Sequence, residues 1–383
     1  MHYPSTMFWK ILSKLRKAAF LLLINPATRI ILFLTSPLRI LRRKRFYAAG
    51  PSPRTILISF FGRGLGDCIF FSGVLEGVRK RFPNAHIRVA ILVQLEKYLK
   101  GNPFVDALVP CPDYSWTEGS SYWRFITSAL QIRREGPVDL LIDLCPTLAL
   151  MPGLWGFLIS KRYSIGIADP LKNIFYDHSI SINWKKHFFD CMLEGLSSLG
   201  IQIEEPTFWI PPDVSLEGLA NPEILSMKSI VLAPGGKRNV EAPKDYCWIF
   251  EGFPYVIKQL TAEGHRIILT GAEYDREYFN SLEPHPLLIN LIGQTSFAQI
   301  FTLIKRCAQL VVCNNSASLH IATVLGIPTV SYADPQENIK RWGPYGGNGK
   351  HRVLQDQPNR KVTPEEFMAA IREKLEEEPA YKK

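Results

Sequence analysis

Asp67 closes a run of alternate glycines, Gly62-Arg63-Gly64-Leu65-Gly66-Asp67, that follows an apolar stretch and precedes an amphipathic one. A carboxylate at a strand-to-helix turn can accept the proton of an attacking alcohol, and glycines beside it let a bulky substrate approach the backbone. The plainer use of an Asp at such a turn is to cap the helix. A dinucleotide-binding turn fits poorly. The spacing is G-x-G-x-G rather than G-x-G-x-x-G, no acid ends the next strand to hold a ribose, and Asp67 would repel a pyrophosphate.

A second turn reads Cys313-Asn314-Asn315-Ser316-Ala317-Ser318-Leu319-His320. Small and capping residues leave backbone N–H groups free at the positive end of a helix, which suits phosphate, while an ordinary Asn/Ser cap with His320 packed inward is the alternative. A third segment is Pro234-Gly235-Gly236-Lys237-Arg238, followed by Pro243-Lys244. Its glycines permit close approach, and Lys237, Arg238 or Lys244 could neutralise a leaving diphosphate, although solvated surface cations are the default. Glu273, in Gly271-Ala272-Glu273, could accept hydrogen bonds from ribose hydroxyls, or simply be an acid favoured at a helix start. No Asp-x-Asp, no CxxC and no run of Cys and His at metal-ligand spacing occurs, so neither a metal nor another cofactor is expected.

Alternating strands and helices would position these turns. Strands are expected at 55–60, 86–92, 138–144, 230–233, 265–270, 310–313 and 329–332. Helices are expected at about 67–81, 122–134, 247–262, 296–305 and 316–325, with a last one opened by the capping box Thr363-Pro364-Glu365-Glu366. A Pro-rich stretch at 208–222 interrupts the rhythm. The expected class is α/β: two Rossmann-like domains, 51–222 and 223–383, facing a central cleft.

Forty-six per cent hydrophobic and 21% charged residues in a chain of 383 exclude disorder and coiled coil as the dominant state. The net charge of +10 is concentrated at one end: residues 1–50 carry ten Lys and Arg and no acid, and the remaining 333 residues balance. This leader also holds the apolar stretches Phe20–Ile24 and Ile30–Leu34, which an anionic bilayer surface would recruit and a nucleic acid would not need. Asn25, Pro26 and Arg29 interrupt a spanning helix, so two amphipathic helices at about 7–24 and 27–45 are expected, lying on the membrane. One spanning helix, or a leader packed on its own protein, are the alternatives. The seven scattered cysteines read as reduced thiols in the cytosol.

Gly64-Leu65-Gly66-Asp67 through Arg81-Phe82-Pro83, Val138–Asp143, Arg162–Gly166, Gly271-Ala272-Glu273, Asn315–Ala322 and Gly326-Ile327-Pro328 occur in this order. Together they resemble glycosyltransferase family 9, the bacterial lipopolysaccharide heptosyltransferase family, from about Arg54 to the C-terminal helix. Asn315 and Ala317 stand where the family has Asp and Gly. The resemblance implies a GT-B, inverting, metal-independent transferase. It places a lipid-linked or lipopolysaccharide-core acceptor on the N-terminal domain, at Arg63, Gly64 and Gly66, and a nucleotide sugar, ADP-heptose in the family, on the C-terminal one. Asp67 matches the general base and Lys244 the phosphate-neutralising lysine. Gly235, Gly236, Lys237, Glu273, Asn315, Ser316, Ala317 and His320 match donor contacts. The expected place of work is the cytoplasmic face of the inner membrane. A hexosyltransferase or epimerase of the same architecture, or a glycolipid-binding protein without turnover, are the other readings.

Overall fold

The computed structural model describes residues 34, 37–42, 44, 53–114, 119–145, 150–159, 161–167, 172–180, 182–183, 185–219, 227–235, 249–333, 339–346, 349–357 and 360–377. The first half runs β1 (Thr55–Phe60), α1 (Leu65–Ser72), α2 (Leu75–Arg81), β2 (His86–Leu92), β3 (Ala107–Cys111), α3 (Gly119–Arg134), β4 (Val138–Asp143), α4 (Leu150–Leu158), β5 (Lys161–Ile167), β6 (His178–Ile180) and α5 (Phe188–Ser197). The second runs β7 (Ser229–Ala233), α6 (Ile249–Ala262), β8 (Ile267–Leu269), β9 (Leu288–Asn290), α7 (Phe297–Cys307), β10 (Ala308–Asn314), α8 (Ala317–Val324), β11 (Thr329–Ala333), β12 (His351–Gln355) and α9 (Pro364–Glu377).

Each half builds a six-stranded, all-parallel sheet. The orders are β3-β2-β1-β4-β5-β6 and β12-β11-β10-β7-β8-β9, the same 3-2-1-4-5-6 pattern twice. That is the doubly wound Rossmann order, so the expected class of two Rossmann-like halves holds. The central strands are continuous apolar runs because helices cover both faces of a parallel sheet: Ile56–Ile58 and Ile230–Leu232 are fully buried. At the last helix the predicted capping box forms: Thr363 Oγ1 accepts from Glu366 N at 3.2 Å while Glu366 Oε2 accepts from Thr363 N at 3.1 Å.

The chain divides into two compact units. One contains the first sheet, with residues up to Arg63, Val74–Asn183 and Phe189–Thr207. The other contains the second sheet, with Gly64–Gly73, 184–188 and 208 onward. Helix α1 therefore clusters with the second sheet although it follows the first strand of the first.

The single helix expected over 67–81 is two helices. Ser72 Oγ bonds back to Ile69 O at 2.6 Å and Gly73 follows, so the ladder is diverted and ends; α2 then starts at Leu75. In the leader, residues 37–42 are helical, and Arg39 donates to Asn173 O at 3.0 Å and Ile174 O at 2.6 Å. Leu34 and Lys44 are helical too, and the other residues of the expected leader helices, 7–33 included, lie outside the described residues. No helix among the described residues is long and apolar enough to cross a membrane.

Candidate functional site

Rossmann sheets offer ligands the crevice at the carboxyl ends of their strands, where the order reverses. In the second sheet that point lies between β7 and β10, and the loops leaving these strands are Pro234-Gly235 and Asn314–Ser316. They are tied together: Asn314 Nδ2 donates to Pro234 O at 2.6 Å, and Asn314 is buried. Asn315 N continues the sheet by donating to Tyr332 O at 2.9 Å, while its Oδ1 is buried with no partner among the described residues. Ser316 is the N-cap of α8 and makes no side-chain cap bond; Leu319 N donates to Ser316 O at 3.1 Å, and the amides of Ala317 and Ser318 are the ones this turn can offer a ligand. Ala317 is the first helical residue, and no described non-glycine residue has positive φ. Alanine is thus accommodated where the family pattern has glycine.

The third loop, after β8, meets the first. Asp275 is buried, and its Oδ2 accepts from Ala272 N at 2.8 Å. A Cβ on either Gly235 or Gly271 would lie 3.0 Å from that same oxygen. Both glycines ease the fit of a carboxylate that lies against two loops, and the sequence reading missed Asp275 because nothing local marks an acid as buried. Glu273 is exposed, with Oε1 accepting from Arg276 Nε at 2.7 Å and Oε2 from Nη2 at 2.9 Å. These bonds hold its carboxyl below the usual carboxylate range. Gly293, at φ 74°, leaves room for Glu273 Oε2 against its backbone, and Arg276 Nη2 also donates to Ile292 O at 2.8 Å.

Asp67 is not the N-cap residue of its helix. The N-cap of α1 is Gly64, and Asp67 is the third helical residue, an acid in the positive first turn. A Cβ on Gly64 would stand 2.7 Å from Asp67 Oδ2, so this glycine gives the carboxylate room to fold back toward the turn. Gly66 has a different task. A Cβ there would overlap the imidazole of His320, with Nε2 at 2.8 Å and Cγ at 3.0 Å, so α1 approaches α8 backbone to ring. Gly66 is the second residue of α1 and His320 the fourth of α8. The two helices meet at their N-terminal turns, which puts the turn carrying Asp67 beside the turn that offers free amides.

An aromatic cluster locks this contact. Phe70 meets His320 and His187 edge-on, each at 5.0 Å between centroids, and also Phe208 at 5.8 Å and Tyr345 at 6.0 Å. His187 is fixed by donating Nε2–H to Gly343 O at 3.1 Å. Burial, reinforced by a charge on His187, pulls the His320 imidazole down to about 3. It is neutral at physiological pH, and its Nδ1 has no partner among the described residues. His320 thus packs inward against Phe70, beneath the Asn315–Ala317 turn.

The structure therefore brings together Gly64, Gly66, Asp67, Asn315, Ser316, Ala317 and His320 in one unit, with Gly235 and Glu273 on neighbouring loops of the same sheet. Arg63 belongs to the other unit, where its Nε and Nη2 lie 3.2 and 3.1 Å from Asp113 Oδ1 and its guanidinium stacks 4.8 Å above the Tyr114 ring. Tyr114 in turn donates to Phe61 O at 3.1 Å. Gly236, Lys237, Arg238 and Lys244 lie outside the described residues. Among the described residues no group of three His, Cys, Asp or Glu is arranged to hold a metal ion. Six described cysteines are buried: Cys68, Cys111, Cys145, Cys191, Cys307 and Cys313.

A model of glycosyltransferase family 9 (heptosyltransferase) matches residues 161–369. Lipopolysaccharide heptosyltransferase 2 of Escherichia coli K12 is 31% identical over 288 residues, covering 71% of this chain and 80% of its own. Lipopolysaccharide heptosyltransferase 3 of E. coli is 24% identical over 304 residues, 74% of this chain and 84% of its own. Among solved structures, the E. coli heptosyltransferase WaaC with ADP superposes with a TM-score of 0.63 at 16% identity, over 84% of this chain and 99% of that one, a likeness of fold.

Proposed function

The chain belongs to glycosyltransferase family 9, and we propose that it moves a heptose from ADP-heptose to a lipopolysaccharide-core acceptor, with inversion and without a metal. The observation that carries this reading is the meeting of α1 and α8 at Gly66 and His320, which sets a carboxylate beside amides suited to a diphosphate.

In this reading the acceptor hydroxyl attacks the anomeric carbon as Asp67 takes its proton. The two events are concerted, because an alcohol is too weak an acid for a carboxylate to ionise beforehand. The bond from the anomeric carbon to the diphosphate breaks on the opposite face, and the electron pair leaves with the nucleotide. The charge that develops on the diphosphate is met by the α8 amides and by Lys244, with Lys237 and Arg238 in reserve. Asn315 replaces an acid that would stand beside this charge. Its amide both donates and accepts, so it removes repulsion without removing a hydrogen-bonding group. In this reading Glu273, whose carboxylate is held by Arg276, accepts from ribose hydroxyls. Gly64 serves by giving the Asp67 carboxylate room and Gly66 by letting α1 approach His320, while Arg63 presents the exposed part of its guanidinium to the acceptor.

The basic, apolar leader confines the enzyme to the cytoplasmic face of the inner membrane, where a lipid-linked acceptor is held. The test is transfer from a panel of nucleotide sugars to purified truncated cores. The expected result is product from ADP-heptose with inverted anomeric configuration. Retained configuration, or turnover with a hexose nucleotide only, would replace the reading by a hexosyltransferase. Conversion of the sugar nucleotide without acceptor would point to an epimerase, and binding without any turnover to a glycolipid-binding protein.

A further inference from the structure

Large apolar side chains stand exposed on one layer of the first unit. Helices α3 and α4 cover the same face of the first sheet: Phe125, Ala129 and Ile132 from one and Trp155 from the other share a core, and Trp155 Nε1 donates to Ser128 Oγ at 2.9 Å. On the opposite side of α3, at helical spacing, stand Trp123, 74% exposed, Leu130 and Arg134. Phe157 of α4 is 57% exposed and touches Phe175, with ring centroids 5.8 Å apart. Residues 173 and 174, beside that ring, are the ones Arg39 grips, so the leader helix with exposed Leu38 and Leu41 continues the same layer.

Charge narrows the choice of partner. Arg42, Lys44, Arg124, Arg133 and Arg134 are exposed on these elements, and neither α3, α4 nor residues 34–44 contains an acid. The acids that reach them are already paired, Asp177 with Arg42 at 3.1 Å and Glu135 with Arg88. A second copy of the chain would oppose cation to cation across an isologous contact. Nucleic acid would satisfy the cations and leave an indole and a phenyl ring in water. An anionic lipid surface satisfies both, since indole and phenyl rings settle at headgroup depth while arginines meet phosphates.

We infer that the outer layer of α3 and α4, continuous with the leader helix, is a lipid-headgroup contact surface, so that the body of the enzyme and not its leader alone seats on the anionic bilayer. This rests on the proposed membrane location and assigns the contact to named residues of the body.

The test uses the full chain and vesicles of phosphatidylcholine with and without phosphatidylglycerol. Trp123→Ser/Phe157→Ser is expected to bind the anionic vesicles about tenfold or more weakly, with an unchanged melting temperature, because both side chains are exposed. Arg133→Glu/Arg134→Glu should weaken binding to the same vesicles and leave the weak binding to phosphatidylcholine alone unaltered. Transfer to a delipidated acceptor in solution should be unchanged in both. That last measurement separates failure of the inference from failure of the proposed reaction. Binding of the Trp123/Phe157 variant equal to the parent would overturn the inference and leave the leader as sole anchor. A melting temperature lowered by several degrees would overturn it too, by showing that the patch is covered by the chain itself. So would a parent chain that binds no vesicles.

Discussion

Gly66→Ala is the smallest change that tests whether α1 and α8 must touch. The added methyl would overlap the His320 ring, whose Nε2 and Cγ it would approach to 2.8 and 3.0 Å. The ring has little freedom to yield. Phe70 closes one side at 5.0 Å, and His187, itself bonded to Gly343 O, stands against the same phenyl. The strain falls on the spacing of the helices, at about 1–3 kcal/mol for overpacking. Because Asp67 is the next residue, a shift of the first turn by about 1 Å displaces its carboxylate, which in the proposed base role is worth about 10²-fold in turnover. Steady-state transfer with both substrates varied should show kcat reduced by about that factor and the donor KM changed much less. Removing the obstruction should reverse part of the loss: Gly66→Ala/His320→Ala should turn over faster than Gly66→Ala alone, with a coupling of about 0.5–3 kcal/mol. A Gly66→Ala enzyme with parental kcat and melting temperature would refute the argument, since the two turns would then not be held by this contact.

Asp67→Asn should fold and bind donor nearly as the parent does and lose about 10²–10⁴ in kcat; near-normal turnover would remove Asp67 from the base role. Activity should survive exhaustive chelation, measured as initial rate with and without EDTA, and strict dependence on magnesium or manganese would contradict the diphosphate site. Acid should destabilise the fold through His320. Its folded pKa of about 3 lies below the ordinary histidine value of 6.5, so between these values the unfolded chain binds the extra proton and stability falls as pH falls. Urea midpoints at pH 7 and pH 5 should therefore show the parent losing on the order of 2 kcal/mol more than His320→Gln, and equal losses would mean that the imidazole is protonated in place.

Strands β1, β2, β4, β7, β8, β10 and β11 were legible because a strand covered on both faces of a parallel sheet must be a continuous apolar run. The four that form the sheet edges, β3, β6, β9 and β12, were not. An edge strand is half solvated, and Ala107–Cys111 even carries an exposed Pro110. β5 was masked by the polar Lys161, Arg162 and Ser164 within it. In the site, the loop glycines and small capping residues announced themselves as chemistry-bearing turns. The reason for each glycine did not, because Gly66 answers to His320 and Gly235 to Asp275, partners far away in sequence. Tertiary packing sets such requirements, and no local window contains them.

The membership of α1 in the second unit also sets a timetable. Ile69, Phe70 and Phe71 are buried residues of a helix whose partner α8 is encoded about 250 residues later, which at about 5–20 residues per second leaves them waiting some tens of seconds during synthesis. Until α8 emerges, a short apolar segment immediately after the first strand has no place to dock. The nascent chain is in that interval a substrate for chaperones, and the contact between Gly66 and His320 is among the late long-range ones that translation allows.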